Sequence, residues 1–101
     1  MDSYFDKDGT PITTEKFEEL HSTDGYKRIA RDVLPDGKVV STVWLGLDHR
    51  TSDSGDPVIF ETMVFPAEDN FMDIDCKRYT NEDDAIDGHI EVVKVWSLMS
   101  V

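Results

Sequence analysis

The sequence has a single cysteine, Cys76, so no internal disulfide can form, and a lone thiol fits a reducing compartment. No apolar run approaches the roughly 20 residues that span a bilayer. The N-terminus, MDSYFDKDG, lacks the basic and then apolar stretches of a signal peptide. These absences point to the cytoplasm and away from a membrane. Proline (four) and glycine (six) are sparse, and there is no repeat, linker or low-complexity tract. Cations are scarce as well: ten Lys and Arg face 22 Asp and Glu, a formal net charge of −12. Such a surface repels DNA, RNA and anionic membranes, which argues against direct nucleic-acid binding. The excess carboxylates then serve solubility, or imitate phosphates in the basic groove of a partner protein. HExxH, CxxC, EF-hand and Gly-rich phosphate-loop motifs are all missing, so neither metal nor cofactor is expected.

What is present reads as one α+β domain over residues 1–101, with 39% hydrophobic and 32% charged residues. The organising stretch is Val39 to Phe65. Two β-branched runs, VVSTVWLGLDH and PVIFETMVF, flank a Ser, Asp and Gly loop, as in an antiparallel hairpin. Tyr26 to Leu34 predicts a strand before it, joined through the Pro35-Asp36-Gly37 turn. Cys76 to Tyr79 predicts a short edge strand after it. The expected sheet is therefore antiparallel, with three to four strands in chain order. Its core-facing side in the central strand is predicted to be the odd one, Val39, Val43, Leu45 and Leu47. Thr13 or Thr14 is expected to cap a short N-terminal helix, with Phe17, Leu20 and His21 on one face. Thr80 with Asp83 predicts a capping box. Beyond it Ala85, Ile86, His89, Ile90, Val92, Val93 and Trp96 recur at helical spacing, so a C-terminal helix should lie on one face of the sheet. Gly46 and Gly88 are expected to admit close neighbours.

The best polar cluster is Asp48 and His49 at the end of the central strand, Glu61 across the hairpin and His89 on the helix. Glu61 interrupts an apolar run, so a buried carboxylate there must find a partner. Depending on register, it shares a face with Leu45 and His49 or with Trp44 and Asp48. With Trp44 and Arg78 these residues outline a ligand pocket, a general acid–base pair of Glu61 with His49 or His89, or a structural network. Trp44 also marks a face that a second copy of the chain could cover. The candidate acidic interaction surface comprises Asp53, Asp56, Glu68, Asp69, Asp73, Asp75, Glu82, Asp83, Asp84 and Asp87.

The segments YFD followed by GTPI, then STVWLGLDH, IFETMVF and RYTNEDDAIDGH, resemble a family of small phage- and prophage-encoded proteins. In that family the last segment reads RYST-EEEAL-GH, matched here by Arg78 to Ile86 and by Gly88-His89. The chain departs from the pattern at Ser52 to Asp56 and in Glu68 to Asp75. The resemblance implies a viral origin and a setting in the bacterial host cytoplasm, and brings no catalytic residues with it. The leading expectation is a non-enzymatic phage accessory protein. It would bind a host protein with a basic surface, as an acidic, DNA-mimic-like inhibitor of a defence or nucleic-acid-processing factor. Sequestration of a signalling nucleotide is the alternative and needs a local basic patch from Lys27, Arg28, Arg31 or Arg78. A small enzyme using Glu61 with a histidine is the third reading.

Overall fold

A computed structural model of the chain describes residues 4–50 and 55–99. Its elements are α1 (Thr14–His21), β1 (Arg28–Val33), β2 (Val39–Trp44), β3 (Phe60–Phe65), β4 (Asp75–Tyr79) and α2 (Glu82–Met99). The four strands form one antiparallel sheet in the order β1-β2-β3-β4, and α2 lies across it, an α+β fold. Among the described residues no helix is long and apolar enough to cross a membrane.

Local chemistry sets the element ends. The Thr13 hydroxyl accepts the Lys16 amide at 3.1 Å and caps α1. The cap of α2 is Asn81 rather than Thr80: its side chain accepts the Asp84 amide at 2.8 Å and donates to the Asp84 carboxylate at 3.0 Å. The cap thus sits one residue beyond the expected Thr80, and Asp84 returns its bond to the Asn81 side chain rather than to the backbone N–H of a capping box. The first short arm folds as a small turn, with Gly9 donating to the Asp6 carbonyl and Phe5 donating to Gly46 of the segment after β2. Gly46 has φ +75°, and a Cβ there would lie 2.5 Å from the Phe17 ring. Glycine is therefore needed both for the backbone conformation and for the close approach of α1.

The core-facing side of the sheet differs from the expectation. Leu34 and Lys38 are paired by a 2.7 Å backbone bond, so the turn between them holds three residues, Pro35, Asp36 and Gly37. Val33 thus pairs with Val39, and Asp32 with Val40. The even residues of β2, Val40, Thr42 and Trp44, are the fully buried ones, opposite Val64, Thr62 and Phe60 of β3. α2 covers this side. On the opposite side Val39 is buried and Glu61 too, but Ser41, Val43, Met63 and Phe65 are only half-buried. Both sides of β2 carry large apolar residues, and the even side is the one packed against Val92 and His89 of α2.

The buried side has three layers. Leu34, Val40, Val64 and Val92 form one apolar cluster, and Trp44, Ile59, Phe60 and Ala85 form another. Each such side chain contributes about 1.5–3 kcal/mol on burial. Between the clusters lies a polar seam of Thr42, Thr62 and His89. At the Trp44 end, Phe5, Ile12, Phe17, Leu20 and Tyr26 close over the second cluster. Trp44 donates its indole N–H to the Phe5 carbonyl at 3.0 Å. The Trp44 face is therefore filled by the chain's own N-terminal segments, and the expected pairing of two copies through it has no surface to use. Gly88 of α2 admits the Tyr79 ring, whose atoms would come within 2.3 Å of an added Cβ.

Candidate functional site

The polar residues singled out in the sequence separate into four places. His89 belongs to the seam. Its Nδ1 lies 2.7 Å from Thr42 Oγ1, which lies 2.5 Å from Thr62 Oγ1, and its Nε2 lies 2.7 Å from Asp32 Oδ2. Thr42, Thr62 and His89 are buried while the Asp32 carboxylate reaches the surface, so this hydroxyl–imidazole–carboxylate chain ties α2, β1, β2 and β3 together from the core outward.

Glu61 lies on the other side of the sheet. Its register partners are Val43 and Arg78, while the even residues face α2. The strands therefore separate Glu61 from His89, and the acid–base pair of those two residues does not form. Glu61 is 5% exposed and accepts the Arg78 Nε–H at 2.9 Å and the Cys76 thiol at 3.2 Å. Partial burial of the thiol, its bond to Glu61 and the charge of that carboxylate push Cys76 up to about 11. Such a thiol is no nucleophile at neutral pH.

Asp48 and His49 go to the β2–β3 connection. Asp48 Oδ1 accepts the amides of Arg50 and Val58, at 2.9 and 3.0 Å, and Oδ2 pairs with Arg50 Nε at 2.6 Å. Burial would raise the Asp48 carboxyl, but these bonds and the Arg50 charge outweigh it and hold it below its usual value. Asp48 is a loop staple. His49 donates its backbone N–H to Val58, and no hydrogen bond or ion pair joins its ring to Glu61 among the described residues. No group of three His, Cys, Asp or Glu side chains among the described residues is placed to hold a metal ion.

The acidic candidates occupy two ends of the sheet. Glu82, Asp83, Asp84 and Asp87 open α2, next to Asp8 of the N-terminal turn, with which Glu82 and Asp83 share a shallow cleft. Glu68, Asp69, Asp73 and Asp75 lie toward the far end, where Asp75 accepts the Trp96 indole N–H at 3.2 Å. Trp96 is fourteen residues along α2 from Glu82, roughly 20 Å at 1.5 Å per residue. Asp56 is exposed in the β2–β3 connection, and Asp53 lies outside the described residues.

A further place holds Lys27, Arg28 and Arg31, three of the four cations that the sequence offers for a nucleotide-binding patch. On the sheet side away from α2, Lys27, Arg28, Arg31, Ser41 and His21 line an open concavity of about 680 Å³. A second hollow of about 140 Å³ adjoins it, sharing Arg31 and Ser41 and adding Phe65 and Phe71. Lys27 and Arg28 carry no ion pair among the described residues, while Arg31 meets Glu68 at 3.4 Å. Neither Trp44, which is buried, nor His49 or Arg78 lines it. Compared with known proteins, the chain matches no family model, no curated protein and no solved structure.

Proposed function

We propose that this chain is a non-enzymatic binding protein, a phage accessory factor of the bacterial cytoplasm, that docks on a host protein with a basic surface. The outer face of α2 is the docking element, and its composition carries the reading. Ile86, Ile90, Val95, Leu98 and Met99 are each between 41% and 71% exposed. The exposed carboxylates of Asp83, Asp84, Asp87 and Glu91 run among them, and Lys94 is the helix's single cation. A merely solvated helix face would be polar. Ile86 and Ile90 lie one turn apart on one flank of the helix, and Val95, Leu98 and Met99 cluster in its last turn; these exposed groups support a contact surface. Apolar burial supplies the affinity there, and the carboxylates steer the helix to a cationic rim and exclude nucleic acid from it. The basic groove of a defence or nucleic-acid-processing factor has that chemistry.

The test is a tagged pull-down from bacterial lysate, eluted in salt steps and read by mass spectrometry. It is run beside an Ile90→Ser/Leu98→Ser variant and an Asp83→Asn/Asp87→Asn variant. The expected result is a basic host protein released by moderate salt from the wild type and retained by neither variant. Equal retention by all three chains, or no enrichment at all, overturns the reading. So does a dimer in sedimentation that the Ile90/Leu98 variant abolishes, which gives the face to a second copy.

A further inference from the structure

The net charge of −12 hides a local reversal. Three of the ten cations, Lys27, Arg28 and Arg31, stand together at one concavity, where Asp24 is the one lining carboxylate. At physiological salt the Debye length is about 8 Å, so carboxylates on α2, beyond the sheet, are screened from a ligand in this hollow. Contact charges decide the local sign, and they are positive. The adjoining hollow differs in character. Val39, Phe65, Ala67 and Phe71 give it an apolar floor and wall. Phe71 is 82% exposed, and its ring meets only the edge of Phe65, with centroids 6.3 Å apart. Arg31 and Ser41 line both hollows, so the two halves form one groove with a cationic end and an aromatic end.

We infer that this groove on the open face of the sheet binds a nucleoside 5′-phosphate, its phosphates against Lys27, Arg28 and Arg31 and its base against Phe71. A terminal phosphate carries about −1.5 to −2 charge at neutral pH and takes the forked donors of arginine in pairs. A base stacked on an exposed aromatic ring gains from either face, whatever its sequence identity. The cationic hollow, about 680 Å³, falls within the roughly 300–1,000 Å³ of small-molecule sites, and the aromatic hollow adds about 140 Å³ beside it. Glu68 has a definite part. Its carboxylate pairs with Arg31 at the junction of the halves, so it competes with the ligand for that guanidinium. The groove faces away from α2, so this site and the helix surface are tested separately.

The probes are ADP, inorganic pyrophosphate and adenosine, followed by calorimetry and by amide NMR shifts at Ser41 and Val43. ADP is expected to bind most tightly of the three and to shift both amides. The Lys27→Ala/Arg28→Ala variant should weaken ADP and pyrophosphate at least tenfold. Phe71→Ser should weaken ADP several-fold and leave pyrophosphate unchanged. Glu68→Gln should tighten both about threefold by releasing Arg31. All these positions are exposed, so the variants keep the fold, and their unchanged thermal midpoints check this. ADP binding no tighter than pyrophosphate, binding indifferent to Lys27 and Arg28, or no amide shift at millimolar ADP overturns the proposal.

Discussion

His89 of α2 donates Nε2–H to the Asp32 carboxylate of β1, at 2.7 Å across 57 residues of chain. The other ring nitrogen, Nδ1, bonds the Thr42 hydroxyl, which in turn bonds the Thr62 hydroxyl. Each polar group in the middle of the core thus has a partner, and a slipped β2–β3 register would leave several unpaired.

Replacing Thr42 by Val should therefore cost more than an isosteric change on a sheet. It leaves His89 Nδ1 and the Thr62 hydroxyl without their partner inside the core, an expected loss of about 1–3 kcal/mol. Thr42→Ser, which keeps the hydroxyl, should lose less. Urea unfolding of both variants checks the order. Equal stability of Thr42→Val and wild type would refute the tie.

The Tyr79 hydroxyl is buried without a hydrogen-bond partner among the described residues. Tyr79→Phe removes a desolvated polar atom and should leave stability unchanged or raise it by up to about 1 kcal/mol. Gly88 faces that same ring. In an open helix Gly→Ala gains about 1 kcal/mol. Here the added Cβ would stand 2.3 Å from Tyr79, so Gly88→Ala should destabilise, by about 1–3 kcal/mol. Thermal melts of the two variants should move in opposite directions.

Asp48 gives a pH-dependent prediction. Its carboxyl is held below the usual value in the folded chain, so the folded state binds that proton less readily than the unfolded one. The stability it contributes is complete above about pH 4, the usual carboxylate range, and is lost as pH falls through the lower folded value. Asp48→Asn should be less stable than wild type at pH 7, and the gap should close in acid. A gap that persists unchanged down to pH 2 would show that the charge of Asp48 is irrelevant to the loop.

Cys76 should be slow to alkylate. With the thiol at about 11, its thiolate fraction at pH 8 is about 100-fold below that of an unperturbed thiol. The higher intrinsic reactivity of a basic thiolate recovers part of this, so iodoacetamide labelling should be about tenfold slower or more. Glu61→Gln removes the neighbouring charge and should speed labelling. Mass spectrometry over a time course reads both rates.

The sequence by itself determined the elements and their order. Apolar, β-branched runs joined by short connections favour neighbouring antiparallel strands, and local caps such as Thr13 begin helices wherever the chain goes next. It also marked Gly46, as a bulge or a close approach, and Gly88, as a close helix–sheet contact; both meet aromatic rings, and Gly46 has a positive φ besides. Tertiary structure decided which side of β2 was buried. Val39 and Val43 on one side and Val40 and Trp44 on the other are nearly equal in apolar weight, so composition could not choose. Packing against Val92 of α2 and the bonds of His89 to Thr42 and Asp32 go with the even side, and the three-residue turn at Pro35 to Gly37 sets Asp32 opposite Val40 on that same side. That choice placed Glu61 and His89 on opposite sides of the sheet, dissolving a pair that looked close in the chain. It also gathered Lys27, Arg28 and Arg31 with Phe71, from a segment some forty residues on, in one groove. Proximity of that kind depends on strand register and on how an irregular segment folds back, and neither is written in any local run of residues.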